Sequence, residues 1–306
     1  MKIDIVIGED NFSEQIAKQI NAKFIKIRTT VFPDNEIKPA LEAEKNIKDS
    51  VVLLVSRSNR FKPNINDSIM KIFLVASLLN EMGTKQINLL IPWMYYSRQD
   101  KQFLSGEPKS LNNIAELYEN LNVSHIFTVN SHLFGKETPL QSFFREIKIH
   151  DITPVAIFAE YLKTKNLLNA IVIGPGKGAE KMVKELADLL DISFECLEKE
   201  RNHVTREITM KPSKTNLKNK DVIIYDDVTA SGGTPIKTFE LANDYNPRRI
   251  FIALPHLISK EGIEKLSNLK PTEIVTTNSF MSEEPKKFTE LTLIPLISNY
   301  IKKSFL

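Results

Sequence analysis

A chain of 306 residues with 42% hydrophobic and 26% charged residues and a formal net charge of +3 is long enough for two ordinary cores and carries too little charge excess to argue for a nucleic acid or a membrane surface. No apolar run approaches the roughly 18 residues of a membrane span. The single cysteine, Cys196, excludes an intrachain disulfide, and Met1-Lys2-Ile3-Asp4 has no signal-peptide pattern, so the expected compartment is cytoplasmic.

In chain order, Ile3 to Gly8 reads as a strand and Phe12, Ile16, Ala17 and Ile20 as one face of a helix, a βα opening. Phe24 to Ile27 is a second strand, leading to Phe32-Pro33-Asp34-Asn35-Glu36. Val51 to Val55 is a buried strand, Ile65 to Met82 an amphipathic helix, Ile87 to Ile91 a strand closed by Pro92, Ser110 to Leu121 a helix, and Ile126 to Val129 a strand ending at Asn130-Ser131-His132. After Asp151 the pattern restarts: a helix from Pro154 to Leu162, then Ile171-Val172-Ile173-Gly174, which nearly repeats Ile5-Val6-Ile7-Gly8. The strand at Val51 is echoed at Val222, and Leu90-Ile91-Pro92 by Ala253-Leu254-Pro255. A nearly constant offset of roughly 165 residues is the trace of a duplicated domain. The expected fold is therefore α/β, two tandem similar parallel-sheet domains, 1–148 and 149–306, with the last helix (Leu293 to Lys303) able to pack on the first.

The stretch Val222 to Pro235 carries the strongest chemistry. A branched apolar strand ends on Asp226 and Asp227, and Ala230-Ser231-Gly232-Gly233-Thr234 then runs into a helix. Small residues let the backbone curl so that successive N–H groups point inward, and the helix N-terminus adds partial positive charge, together making a phosphate cradle. Thr234 suits the N-cap and Pro235 the first helical position. Two carboxylates beside such a cradle would repel a bare polyphosphate but could hold sugar hydroxyls or a metal, so a ribose 5-phosphate meets both demands. No Gly-Lys-Ser/Thr follows the Walker spacing. The first copy has Arg57-Ser58-Asn59-Arg60 in this place, so the two copies have divided their labour.

The loop from Pro92 to Pro108 is unusually long for a compact α/β unit and follows the carboxyl end of a strand, where ligands sit. Arg98 can fork onto phosphate, Gln99 can read a base or ribose edge, and the Tyr95-Tyr96 pair offers flat apolar surface. The polar stretch Glu198 to Arg206, without periodicity, should be a mobile flap; Lys199 and Arg201, alternating on an extended segment, would project to one side and could close over phosphoryl oxygens. Gly174-Pro175-Gly176-Lys177-Gly178 follows a strand, but its third glycine comes too early for a dinucleotide fingerprint. Cys196 is read as a plain strand residue.

These motifs carry a family resemblance. Val222 to Pro235 resembles the phosphoribosyl diphosphate (PRPP) loop shared by phosphoribosyltransferases and ribose-phosphate pyrophosphokinases, and alone it does not separate them. Tyr96-Ser97-Arg98-Gln99-Asp100-Lys101 with Gly106-Glu107-Pro108 resembles the ATP loop of the pyrophosphokinases, which transferases lack. Phe32 to Glu36 resembles that family's hairpin for an adenine bound mainly by a neighbouring subunit, Thr128 to His132 its metal-binding strand end, and Lys199-Glu200-Arg201 its catalytic loop. The chain is thus similar to a short, archaeal-like ribose-phosphate pyrophosphokinase of nucleotide biosynthesis, a transferase in the kinase sense.

The resemblance implies that Lys199 and Arg201 are catalytic. It places ribose 5-phosphate on Arg201, Asp226, Asp227, Ala230, Ser231, Gly232, Gly233 and Thr234, ATP on Phe32, Asp34, Asn35, Glu36, Arg98, Gln99, Asp100 and Lys101, and magnesium on His132, in a homo-oligomer of at least two subunits. The chain departs from the pattern twice: Gly176 stands where the family has a magnesium-binding Asp, and Asn130 where an Asp usually precedes the metal His. Those departures are the only support for a non-catalytic regulatory relative. The other alternative, a PRPP-consuming transferase, lacks an account of the ATP loop and the duplication.

Overall fold

The computed structural model describes residues 2–42, 47–59, 65–201, 208–211, 213–229, 232–281 and 288–305. These fall into two compact units: the first lies within 1–58, 64–152 and 293–306, the second within 153–292 with the short segment 59–63.

The first unit contains β1 (Ile5–Gly8), α1 (Asn11–Ile20), β2 (Lys23–Val31), β3 (Ile37–Leu41), β4 (Val51–Val55), α2 (Ile65–Glu81), β5 (Gln86–Leu90), α3 (Ser110–Glu119), β6 (Val123–Val129) and β7 (Lys148–Ile152). They build a seven-stranded sheet in the order β3-β2-β1-β4-β5-β6-β7, parallel except for β3, which returns antiparallel to β2. All five residues of β4 are buried, as a branched apolar run covered on both faces requires. Asp10 caps α1, its Oδ1 accepting the Ser13 N–H at 3.0 Å, and Asn21 ends the helix in the left-handed region at φ 57°.

The second unit contains α4 (Val155–Lys163), β8 (Ile171–Gly174), α5 (Glu180–Leu190), β9 (Ser193–Cys196), β10 (Lys199–Arg201), β11 (Ile208–Met210), β12 (Asp221–Tyr225), β13 (Val228–Thr229), α6 (Gly233–Asn243), β14 (Arg249–Leu254), β15 (His256–Leu257), α7 (Lys260–Asn268), β16 (Glu273–Thr277) and β17 (Thr289–Leu291). Its main sheet runs β17-β16-β14-β12-β8-β9, all parallel. Outward from β8 this is the order found outward from β1, so the repeat seen in the sequence is a repeat of topology. Even the tight packing at the glycine ending the strand recurs: a Cβ on Gly8 would lie 2.2 Å from Ser13 Oγ of α1, and one on Gly174 2.9 Å from both Cys196 Sγ of β9 and Val183 Cγ2 of α5.

The remaining helix, α8 (Ile294–Ser304), belongs to the first unit and packs on α1, while α4 packs on α5. Each unit thus receives the helix that follows the other unit's last strand. The units divide at 152/153 rather than at 148/149, because 148–152 is the edge strand β7, paired along its whole length with β6. Near α8, the stacked rings of Phe127 and His150, centroids 4.4 Å apart, and of His125 and His150 meet Phe305 and Tyr300, and His125 Nδ1 lies 2.9 Å from His150 Nε2.

Parallel sheets of this kind bind ligands beyond the carboxyl ends of their strands, at the point where successive connections leave in opposite directions. The first sheet has that point between β1 and β4, the second between β8 and β12. The opposite, amino end of β12 is a structural anchor: the fully buried Asp221 carboxylate takes hydrogen bonds from Arg248, Arg249 and the Leu168 N–H. Among the described residues no helix is long and apolar enough to cross a membrane.

Candidate active site

At the β8/β12 switch point, β12 delivers Asp226 and Asp227, both half-buried. Asp226 Oδ1 accepts the Asp227 N–H at 3.0 Å and Asp227 Oδ1 the Val228 N–H at 2.8 Å. These turns bend the chain into β13, which pairs with β15. Ala230 and Ser231 lie outside the described residues. Gly232 follows at φ 81°, a left-handed conformation that favours glycine; a Cβ there would also come within 2.7 Å of the terminal methyl of Ile236, which would have to move aside. It is also the N-cap of α6, which places Gly233 first, Thr234 second and Pro235 third in the helix, two positions later than the sequence reading of Thr234 as cap. The shift costs nothing, since an N–H at any of these positions lacks an intrahelical acceptor. It has a consequence: the cap residue, a glycine, has no side chain with which to occupy the start of α6, and an anion can approach first-turn N–H groups at such a helix start.

Two further segments reach the same carboxyl edge. Beyond β8, Gly176 is buried with φ 173° and ψ 167°, an extended conformation open to any residue, so the backbone does not demand glycine there. Beyond β9 comes an antiparallel hairpin in which Lys199 pairs with Met210, Glu200 with Thr209 and Arg201 with Ile208. β10 is the extended segment on which alternating residues share a side. The side chains of Lys199 and Arg201, and residues 202–207 of the expected flap, lie outside the described part. Cys196 ends β9; burial pushes its thiol up to about 11, which suits a packing residue rather than a nucleophile.

The first unit holds the residues expected to meet ATP. Phe32 to Glu36 form the turn between β2 and β3, closed by the Phe32 N–H to Glu36 O at 2.9 Å and the Glu36 N–H to Asp34 Oδ1 at 3.1 Å, with Asn35 at φ 70°. Phe32 is 41% exposed at this tip, with Lys38 Nζ 5.7 Å from its ring centre. Arg98, Gln99 and Lys101 are exposed and Asp100 half-buried in the loop after β5. Gln99 is tied to the start of α3, its Oε1 accepting Ser110 Oγ–H at 2.6 Å and its carbonyl the Leu111 N–H. The tyrosine pair is not a flat binding surface: Tyr95 is 1% exposed, 3.1 Å from Ser56 Oγ and pushed up to about 12 by burial, and Tyr96 donates to Asn66 at 2.8 Å.

His132, half-buried, follows β6, the neighbour of β5, so it leaves the same edge as the Arg98 loop. Its turn is fixed by Asp151, which accepts the Ser131 N–H at 2.9 Å and Oγ–H at 2.6 Å. Asn130 before it sits at φ 43°, a left-handed conformation that asparagine tolerates well.

Among the described residues no group of three or more His, Cys, Asp or Glu side chains is placed to hold a metal ion. Magnesium does not require one, since it commonly keeps several waters and takes one or two carboxylates together with substrate phosphates. The adjacent carboxylates of Asp226 and Asp227 fit a cation that arrives with a nucleotide.

An uncapped helix N-terminus behind two strand-end carboxylates, on one half of a duplicated parallel-sheet protein, defines the class as a doubled α/β protein built around a phosphoribosyl-type loop. Residues 1–121 match the model of the N-terminal domain of ribose phosphate pyrophosphokinase, and 153–288 that of the phosphoribosyl transferase domain. Ribose-phosphate pyrophosphokinase of Sulfurisphaera tokodaii is 30% identical over 302 residues, 97% of this chain and 100% of that protein; that of Pyrococcus furiosus is 30% identical over 92% of this chain and 94% of its own. A crystal structure of phosphoribosylpyrophosphate synthetase from Mycobacterium smegmatis superposes with a TM-score of 0.85 at 20% identity, covering 100% of this chain and 99% of that one. The chain belongs to the ribose-phosphate pyrophosphokinase family of enzymes.

Proposed function

We propose that the chain transfers the β,γ-diphosphate of Mg-ATP to the C1 hydroxyl of ribose 5-phosphate, giving PRPP and AMP. The observation that carries this reading is the uncapped, glycine-led N-terminus of α6 beside Asp226 and Asp227. The first-turn N–H groups of α6 hold the 5-phosphate, and the two carboxylates hold ribose hydroxyls and the metal. The C1 oxygen attacks the β-phosphorus in line; its bond to phosphorus forms as the bond to the α,β-bridging oxygen breaks, AMP leaves with that oxygen, and the hydroxyl proton is lost to solvent. Magnesium neutralises phosphate charge when bound, and Asp226, Asp227 and His132 are its protein-side candidates.

Lys199 and Arg201 stabilise charge on the transferred group, Arg201 also contacting the sugar phosphate. Phosphoryl-type transfer works by positioning and electrostatics, so no covalent nucleophile is needed. Phe32, Asp34, Asn35 and Glu36 receive an adenine across a subunit boundary, with Arg98, Gln99, Asp100 and Lys101 on the same nucleotide, which makes the working form at least a dimer in the cytoplasm.

The test is AMP release from ATP and ribose 5-phosphate as sole substrates. Lys199→Ala and Arg201→Ala are expected to lower kcat by at least about a hundredfold, because both act on charge developed in the transition state; ribose 5-phosphate binding changes little in Lys199→Ala and weakens modestly in Arg201→Ala, which also loses a contact to the sugar phosphate. Absence of AMP release from the unaltered protein refutes the activity, and near-normal kcat in both variants refutes the roles of Lys199 and Arg201.

A further inference from the structure

β10 is held through two roots, Leu197 and Glu198 leaving β9, and Lys211 with 213–215 returning towards β12. The apolar part of each root is buried: Leu197, Met210 and Leu217 share one core cluster with Phe239 of α6. The polar part is gripped from β9. Glu195 Oε1 accepts the Lys214 N–H at 2.8 Å, and Oε2 accepts Ser213 Oγ–H at 2.9 Å and the Thr215 N–H at 3.1 Å. From the other side, the Tyr245 hydroxyl, two residues beyond α6, donates to the Ser213 carbonyl at 2.8 Å.

Glu198 also pairs with Lys211 and Lys214, at 2.5 and 3.0 Å, but those partners are well exposed and such pairs are worth little. Glu195 is different. Its half-buried carboxylate answers three donors at once, and a charged acceptor with several donors is among the stronger local constraints. Burial pushes its carboxyl up, yet the bonds from Lys214, Thr215 and Ser213 outweigh that and hold it below the ordinary range. The outgoing strand therefore fixes where the returning strand lands, and the two together set the register of the hairpin. The helix that ends near Tyr245 is the one whose N-terminus forms the anion cradle, so the cradle and the hairpin root share a single rigid element.

We infer that Glu195 is a positioning residue for the transfer: by gripping Ser213, Lys214 and Thr215 it fixes β10, and through β10 the two residues Lys199 and Arg201, a role that rests on their assignment in the proposed reaction. Glu195→Gln turns one acceptor oxygen into an NH2 group facing donors, which loosens the root without opening a cavity. Its kcat is expected to fall about tenfold and the KM for ribose 5-phosphate to rise by clearly less, since a small misplacement of transition-state groups is costly and only Arg201 of the two also contacts the bound sugar phosphate.

The decisive measurement is non-additivity. In a Lys199→Ala background, assayed at high enzyme concentration by AMP release, Glu195→Gln is expected to cost clearly less than in the unaltered protein, because of the two residues it positions only Arg201 is left to misplace. Tyr245→Phe, which drops only the hydroxyl grip on Ser213, should show a smaller loss with the same dependence on Lys199, and it carries the test should Glu195→Gln fail to fold. Equal fold losses in both backgrounds, or unchanged kcat in the single variants, overturn the positioning role. Lys199→Ala with normal kcat overturns instead the assignment of Lys199 itself, and is seen before Glu195 is altered.

Discussion

The two sheets offer the same crevice twice, and the two crevices are filled in opposite ways. Between β1 and β4, Arg57 donates to Asp10 Oδ2 at 2.9 Å and lies 4.2 Å from the Phe12 ring centre, while Lys71 and Thr29 both donate to Glu9 at 2.7 Å. Asp10 is in addition spent as the cap of α1. Between β8 and β12 the corresponding segments are a buried Gly176, two half-buried carboxylates and a positive-φ glycine that is itself the N-cap of α6. Topology alone therefore does not make a site. Charge paired within the chain makes a switch point a structural joint, whereas a glycine-led helix start is the kind of place where main-chain donors can meet an anion.

The sharpest way to break this comparison is to alter one carboxylate on each side. Asp226→Asn and Asp227→Asn are expected to lower PRPP formation by at least about a hundredfold with the thermal midpoint nearly unchanged, the outcome that the proposed contacts to substrate and metal require. Arg57→Ala should do the reverse, leaving kcat per folded molecule intact and lowering stability by about 2 kcal/mol, because the partly buried Asp10 loses its main cationic partner. If Arg57→Ala abolishes turnover without unfolding the protein, the first crevice is not merely structural.

A second contrast lies between the first unit's histidines and the second unit's carboxylates. Burial, then the neighbouring His125, then Lys148 lower His150 to about 4, and burial followed by Lys148 also lowers His125. A base whose folded value lies below its unfolded value of about 6.5 makes the unfolded state the better proton binder, so the neutral pair supports the fold above about pH 6.5 and that support is lost as pH falls towards 4. The first unit should then lose stability between pH 6.5 and 4, followed by thermal unfolding, and His150→Phe should flatten that loss. Asp221 acts in the same sense as the histidines but lower on the scale: Arg249 and Arg248, with the Leu168 N–H, more than offset its burial and hold it well below the usual carboxylate range, so its contribution to stability is lost only at strongly acid pH.

The smallest expected effect concerns Gly176. An extended φ of 173° admits a side chain, so Gly176→Asp should fold and should reach half-maximal rate at a few-fold lower free magnesium, with similar kcat, because one more carboxylate joins the donor set. An unchanged magnesium requirement in a magnesium titration of the rate would show that position 176 plays no part in metal binding.

Much of this was legible from residue order alone. Branched apolar runs of period one mark parallel strands buried on both faces, and the repeated Ile-Val-Ile-Gly with its later echoes fixes a duplication, since both signals depend only on local pattern. The Asp226-Asp227 pair and the glycine loop are equally local: a curl of small residues at a helix start needs nothing distant to bind an anion. What pattern could not settle was where a side chain spends its polar atoms. Tyr95 reads as surface and is buried on Ser56; Thr234 reads as the cap and yields to Gly232; the boundary expected at 148/149 falls inside 148–152, which is a paired edge strand. Glu195 looks like one more charge on a polar strand end, and its three donors come from residues 18 to 20 positions later. The ownership of α8 was open for the same reason. An amphipathic helix declares its apolar stripe in sequence, but which core accepts the stripe is decided by the tertiary packing that brings α8 against α1.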